Sequence, residues 1–513
     1  MPLLNTIGAA AARAYGFLAN IFTAGRLNAS TGPYNVPGFA IGGSSESSGS
    51  TTKTIDVLSN GYYTPPGSSQ KNAIFLTKYS ANLSLQSQVA LYDTSSAQLS
   101  NLNSYIIIHG AGSPFDDIFI LLSGYGGGNG RIPERIARLD SSFTNTWTKG
   151  YAFNTDPTFI GAYYFYDLKL DGRGIGATSK LYLAGIFSFP GDFDYAPYEY
   201  PVLFKLNNDG SVYSSALFGI PVNYYQGFSK IATIKALDNT EIVYAAGTTT
   251  DSWGYTPSAF ITKIPCSTTI TTPTWSRNID PTYYNNSVAI AAIKIDSSED
   301  LNANVYLLTS NCNDDNFYYN YKSIDLHKFD SSGTRLYGVY ISDQNYTYDT
   351  YAYDMVLDTS GNIYIVGTYT GRGSQGQSLF IIKLDSAFNI VWQRLYAFAF
   401  GVISAISLVV RNIFLTTTGN LCVPLIITND TQGQIVLTQP TSAPNTGTFS
   451  VPDIVDGRTY MLTISPADFY FTFSTAVINS FSATASSPTL NVVTSYTPFT
   501  KAAQTPTSAV VNL

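Results

Sequence analysis

The clearest alternation of hydrophobic and polar positions lies at residues 352–396, AYDMVLDTSGNIYIVGTYTGRGSQGQSLFIIKLDSAFNIVWQRLY. Four short β-patterned runs follow one another there. Residues 353–357 are apolar and end in the turn Asp358-Thr359-Ser360-Gly361, and residues 363–369 alternate β-branched and aromatic side chains around Gly367. Residues 379–384 end at Asp385, and residues 390–396 are built on Trp392. Runs of this kind joined by Asp/Gly turns predict an up-and-down antiparallel sheet. A lone sheet of four strands leaves both faces wet and is marginal in water, so the unit needs copies of itself.

The chain supplies them. The third run carries a basic residue between apolar ones, and this signature recurs as FLTKYS at Lys78, IARLD at Arg138, LFKLN at Lys205, ITKIP at Lys263, LHKFD at Lys328 and IIKLD at Lys383. An aromatic residue follows in most copies: Trp147, Tyr213, Trp275, Tyr337 and Trp392. The second run recurs as LYLAG (Gly185), IVYAAG (Gly247), VYLLTS (Ser310) and IYIVG (Gly367). MLTISPADFYFTF, residues 461–473, reads as a degenerate seventh copy with Thr463 in the basic position. One four-stranded unit per ~40–50 residues is the signature of a β-propeller, and longer loops lengthen the repeat here. The pattern predicts an all-β fold, a seven-bladed β-propeller of four-stranded antiparallel blades over residues 54–496. Six or eight blades are the neighbouring alternatives. A C-terminal strand near 481–496 is expected to pair with the first unit and close the ring. The basic series is expected at equivalent sites on the third strands, with its aliphatic stems in the grooves between blades.

The pattern DxxGNIYIVGTYT…FIIKLDxxxNIVWQRLY resembles bacterial propeller repeats with a DxxGNxYxxGxT core. The resemblance is sharpest over 352–396, extends over 229–341 and fades toward both ends. It implies the fold and no shared activity, so function must come from the loops. The chain ends read differently. Residues 1–42 form an N-terminal arm, 43–53 a Gly/Ser linker and 497–513 a flexible tail. The leader MPLLNTIGAAAARAYGFLANIFTAG lacks a basic n-region, and Arg13 and Tyr15 break its apolar run. It suits neither a signal peptide nor a membrane span. Leu3, Leu4, Ile7, Ala11, Ala14 and Leu18 are spaced as a helical stripe. The phrase LNTIGAAAARAYGF resembles the opening of tailed-phage structural proteins, which implies a segment that docks onto a virion. A plain arm packed on the propeller is the alternative.

Charged residues make up only 12% of the chain and the net charge is −7, which argues against nucleic-acid binding. The 39 tyrosines, with Gly, Ser, Thr and Asn, take the place of charge and suit a surface that works outside a cell. Cys266, Cys312 and Cys422 lie in different repeats and form neither a CxxC nor an even framework, so neither disulfides nor zinc is expected.

Short turns follow the first and third runs, at 207–210, 330–333 and 358–361, and define one plain face. Long connections follow the second and fourth runs and define the other, as at 188–200, 248–258 and 310–323. From these, Tyr195, Tyr198, Trp253, Tyr255, Tyr318, Tyr319 and Tyr321 are the candidate ligand-binding set. Aromatic rings give rigid contact area, and the Asn, Asp and Ser beside them give adaptable hydrogen bonds. Rings that merely fill gaps between blades are the alternative.

Catalytic signals are thin. His109 and His327 are the two histidines, and His327 falls inside a predicted strand. No GxSxG, HExxH or P-loop is present. The turns ending at Gly333 and Gly361 resemble sialidase Asp-boxes only as turns. Neither Asp192/Asp194 nor Asp314/Asp315 has the order of a calcium loop. The expectation is a protein with no enzymatic activity, no cofactor and no metal. It would belong to a phage virion, as a tail or surface-decorating component. Its partners would be other virion proteins, through the N-terminal arm, and a host-surface glycan or protein; homo-oligomerisation is left open. The alternatives are a secreted or cell-surface bacterial propeller that binds glycans or proteins, and a glycan hydrolase.

Overall fold

The structure is a computed structural model. It describes residues 23–27, 40–46, 54–63, 71–80, 85–92, 106–109, 118–122, 134–140, 144–152, 162–171, 179–189, 198–218, 226–249, 258–281, 288–314, 321–343, 348–371, 377–397, 407–417, 419–428, 434–440, 456–458, 462–466, 471–472, 491–493, 500–504 and 508–512. Every regular element among the described residues is a β-strand. Antiparallel sheets stand around a common axis, and the first strands of successive sheets pack side by side. The chain is an all-β protein with a β-propeller arrangement.

Six blades are meanders of four consecutive strands, neighbours in sequence being neighbours in space. Their inner strands are Ala40–Glu46, Ile106–His109, Ala162–Leu170, Gln226–Lys235, Ala289–Ile295 and Tyr348–Leu357. Their outer strands are Leu85–Tyr92, Asn145–Ala152, Val212–Leu217, Trp275–Pro281, Arg335–Asp343 and Ile390–Ala397. The expected seven such units are therefore corrected to six. A composite sheet stands between blade 6 and blade 1. Ser407–Val410, Asn420–Thr428 and Gln434–Pro440 supply its first strands, and Thr23–Leu27 pairs with Gln434–Pro440 from the other end of the chain.

The segment read as a degenerate seventh unit is not a blade. Its Leu462–Pro466, which carries Thr463, pairs with the outer strand of blade 5, and its Phe471–Thr472 pairs with that of blade 4. Alternation marks a strand but not its partner. The boundaries at the N-terminus shift as well. Ala40–Glu46, which overlaps the Gly/Ser linker, is the inner strand of blade 1 and pairs with Thr54–Tyr63. The stripe proposed over residues 3–18 lies outside the described residues.

The core lies between the blades. Leu183, Val202 and Phe204 of blade 3 pack with Phe119, Leu121 and Ile136 of blade 2. Tyr244, Ile261 and Ile234 of blade 4 pack with Val305, Leu307 and Tyr340 of blade 5. Each sheet thus buries both faces against its neighbours, which is why the second and third strands read as apolar runs. The glycine of the second strand has a specific cause. The inner strand bulges between Phe165 and Asp167, Phe228 and Lys230, and Ala352 and Asp354, opposite Gly185, Gly247 and Gly367. A Cβ on Gly247 would lie 1.7 Å from the Gly227 carbonyl oxygen. In blade 5 the matching residue is Thr309, opposite Ile290, and not Ser310.

The C-terminal residues run around the ring in reverse. Asp456–Arg458 adds to the outer strand of blade 6, Leu462–Pro466 to blade 5 and Phe471–Thr472 to blade 4. Asn491–Val493 then adds to blade 2, Thr500–Gln504 to blade 1, and Ser508–Asn512 to Thr23–Leu27 of the composite sheet. The expected closure by 481–496 on the first unit is thereby corrected. Its described part, Asn491–Val493, meets blade 2, and blade 1 is met by residues expected to be a free tail. Uncovered outer strands would present open ladders to other chains, and this sparsely charged segment covers those of blades 1, 2, 4, 5 and 6. A proline at Ile464, opposite Ile341, removes a ladder donor. The Ile464→Pro protein should keep its far-UV circular dichroism while amides in Arg335–Asp343 exchange about tenfold faster. Unchanged exchange would show that this strand does not form in solution.

Candidate functional site

Connections between second and third strands open on one rim of the ring, and the hairpins between third and outer strands on the other. Tyr198 and Tyr321 begin the third strands of blades 3 and 5, opposite Phe189 and Asp314, so both stand on the first rim in equivalent places. Thr249 pairs with Ser258, so the chain between them leaves and re-enters blade 4 on that rim. Tyr195, Trp253, Tyr255, Tyr318 and Tyr319 lie outside the described residues, as do Asp192, Asp194 and Asp315.

The opposite rim is braced. Asp330 Oδ1 accepts the N–H groups of Ser332 and Thr334 at 2.9 and 2.8 Å, and Gly333 takes a φ of 81°. Asp358 and Gly361 repeat the arrangement at the first hairpin of blade 6, with Ser360 and Asn362 as donors. The Asp-box-like sequences are thus self-satisfied hairpin turns. In blade 4 the third and outer strands are joined by the longer stretch 266–274, so this rim is not uniformly short.

The basic series occupies equivalent sites, as its spacing predicts. Each residue faces a second-strand partner and an outer-strand partner: Arg138 between Phe119 and Trp147, Lys263 between Tyr244 and Trp275, Lys328 between Tyr306 and Tyr337, Lys383 between Tyr364 and Trp392. The cations of Arg138, Lys205, Lys263, Lys328 and Lys383 lie 5.1–5.9 Å from the second-strand rings, with Lys383 at 5.1 Å and Lys205 at 5.9 Å, whereas Lys78 stands opposite Asp56. The heads of Arg138, Lys205 and Lys263 cross to the next blade. Lys205 Nζ donates to the carbonyls of Cys266 and Ser267 at 2.6 and 3.0 Å, and Lys263 Nζ to that of Ser331 at 2.8 Å. In blade 3, Ser214 holds the register place of the tryptophans and Tyr213 is the bulged, half-exposed residue beside it. The repeat signature therefore encodes the joints between blades.

Two charged clusters escaped the sequence reading. The first is buried between blades 3 and 4. Lys205 Nζ lies 2.5 Å from Glu241 Oε2, which also accepts the Tyr182 hydroxyl, and Lys235 Nζ lies 2.7 Å from Asp171 Oδ2 and 3.3 Å from Glu241 Oε1. Burial, and then the nearby Cys266 and Glu241, push the Tyr182 hydroxyl far above its ordinary pKa. Every acid here has its cation.

The second cluster is formed by the inner strands at the axis. Asp167 Oδ2 accepts the Ile231 N–H of the next blade at 2.8 Å, and its Oδ1 lies 3.1 Å from Lys169 Nζ. Asp354 Oδ2 accepts the Ile413 N–H of the composite sheet at 3.1 Å, and its Oδ1 lies 3.1 Å from Lys294 Nζ of blade 5. Lys230 lies in the combined field of Asp167, Lys169, Asp354 and Arg411; burial lowers its pKa, and Asp167 offsets part of that. The signal was present as YDLKL, SKIAT, AAIKI and YDMVL, where charge interrupts otherwise apolar inner strands.

His327 is fully buried on the third strand of blade 5, and burial followed by Arg335 lowers its pKa to about 3. It is neutral at physiological pH and forms part of the interior. Cys266 and Cys422 are buried free thiols. Among the described residues no three His, Cys, Asp or Glu side chains are placed to hold a metal ion, and no helix is long and apolar enough to cross a membrane. No protein-family model matches the chain, and no curated protein matches it.

Proposed function

We propose that this propeller is a non-enzymatic binding scaffold of a tailed-phage virion, a tail or surface-decorating protein whose aromatic rim meets a host surface or a neighbouring virion protein. The supporting observation is the division of the ring. One rim is made of self-satisfied hairpins tied to the next blade, and the other carries the Tyr- and Trp-rich connections, with Tyr198 and Tyr321 at equivalent strand starts. Loops on a rigid scaffold commonly carry binding. The virion assignment rests on the resemblance of the leader. The docking segment is the part before Thr23, because Thr23–Leu27 belongs to the ring itself. A secreted or cell-surface bacterial propeller is the second reading, favoured by a tyrosine-rich, weakly charged composition.

The Trp253→Ala, Tyr255→Ala double variant should fold normally and lose attachment or assembly, since desolvated aromatic anchors typically contribute ~2 kcal/mol or more. An unfolded variant would assign these rings to the core. A folded variant with adsorption and particle assembly both intact would show that this rim is not the working surface. Mass spectrometry of purified particles separates the two readings: absence of the chain from them removes the virion assignment, and a glycan panel then tests the second.

A further inference from the structure

The inner strands of blades 3 and 6 share one rung, whose place in blade 5 is held by Ala292. In blades 3 and 6 an aspartate follows the bulge, Asp167 opposite Ala184 and Asp354 opposite Val366. Each carboxylate reaches a backbone N–H of the next sheet: Ile231 on the inner strand of blade 4, and Ile413 in the short stretch between Ser407–Val410 and Phe414–Leu415 of the composite sheet. The carboxylate closes the joint at the axis, because an inner strand has a sheet partner on one side only and alternate N–H groups point away from it.

Blade 4 has the same rung with the opposite charge. Lys230 follows its bulge, opposite Ala246. On the next blade Ile293 stands opposite Leu307, as Ile231 stands opposite Ala245. An ammonium group has no acceptor to offer the Ile293 N–H. The two acids near Lys230 are already engaged, Asp167 with Lys169 and two backbone N–H groups, Asp354 with Lys294 and one. No hydrogen bond or ion pair joins the Lys230 side chain to another described residue. Lys169, Lys294 and Arg411 add to the positive side of the same cluster, in a chain whose net charge is −7.

We propose that a small oxyanion, a carboxylate or phosphate, binds near the axis between the Lys230 ammonium and the Ile293 N–H, in the place that Asp167 and Asp354 fill in their own blades. One oxygen accepts from the backbone, as the aspartate oxygens do at the other joints, and a second pairs with the ammonium. The surrounding cations raise the local anion concentration, and the charge-assisted hydrogen bond supplies most of the affinity.

The full chain tests this with inorganic phosphate and acetate at constant ionic strength. The wild-type protein should broaden the phosphorus resonance of phosphate saturably, and acetate should compete. Lys230→Gln should weaken binding about tenfold or more, while Lys149→Gln, on an outer strand, should leave it unchanged. Lys230→Asp restores the carboxylate in place: it should fold, bind neither anion, and melt at a temperature independent of both. Phosphate binding without acetate competition upholds the site and restricts it to tetrahedral anions. No saturable binding to the wild type, or equal binding to Lys230→Gln, overturns the proposal. A melting temperature of Lys230→Asp that still rises with phosphate as the wild type's does overturns it too.

Discussion

Glu241→Ala should be among the most destabilising single substitutions in the ring, lowering the free energy of unfolding by about 3–5 kcal/mol. The reason is the company that Glu241 keeps. Its side chain is 7% exposed and that of Lys205, 2.5 Å away, is 1% exposed. Removing the carboxylate leaves Lys205 with the Cys266 and Ser267 carbonyls and two tyrosine rings but no counter-charge, and strips the Tyr182 hydroxyl of its acceptor. The larger loss lies in stranding a desolvated cation, not in forfeiting the attraction, since taking both charges out of water already offsets much of that attraction. Lys205→Met, Glu241→Leu together should therefore recover most of what Glu241→Ala loses. Lys235 keeps Asp171 in either background. Urea titrations of the three proteins decide the matter. A Glu241→Ala protein within about 1 kcal/mol of the wild type would mean that water reaches the cluster, because solvent-exposed ion pairs contribute no more than that.

How far the sequence reveals the molecule depends on which contacts it encodes locally. The repeat was legible because it encodes joints. Lys263 lies over Tyr244, donates to Ser331 of the next blade and stands beside Trp275, whose ring packs under Gly333. A cation, an aromatic and a glycine turn must therefore recur together. In blade 5 the same joint is made by Tyr337 against Phe388, which takes a φ of 66° where Gly333 takes 81°. There the signature blurs while the geometry holds. The closure was not legible. Thr23–Leu27 and Ser508–Asn512 pair with each other across almost the whole length of the chain, and their main-chain hydrogen bonds leave no trace in side-chain type. Leu462–Pro466 reads as a strand wherever it is put, so its alternation could not say that it borders blade 5 and not a blade of its own. At the axis the difficulty is of another kind. Asp167 and Lys230 share a register place but carry opposite charges, so a search for a recurring residue type passes over the place itself.

Gly247→Ala should cost about 3 kcal/mol, although it adds a single methyl group. Gly247 has no unusual φ to defend. Its constraint is proximity: the new Cβ would sit 1.7 Å from the carbonyl oxygen of Gly227 and 2.9 Å from Phe260 Cζ. The Phe260 ring can turn, but the Gly227 carbonyl belongs to an inner strand whose own position is tight. A Cβ on Gly227 would lie 2.0 Å from Ile186 Cγ2 of blade 3. Relief must come from moving the inner strand of blade 4 toward the axis, which disturbs the Ile231 N–H that Asp167 accepts. Gly419→Ala is the control, because Gly419 has a φ of 78° and nothing within 4 Å of its would-be Cβ. It meets only the left-handed backbone penalty of roughly 1 kcal/mol. Urea midpoints of the two variants separate the explanations. If Gly419→Ala proves the more damaging, backbone conformation and not the close approach of strands explains the repeat's glycines, and the inner bulge is looser than its geometry indicates.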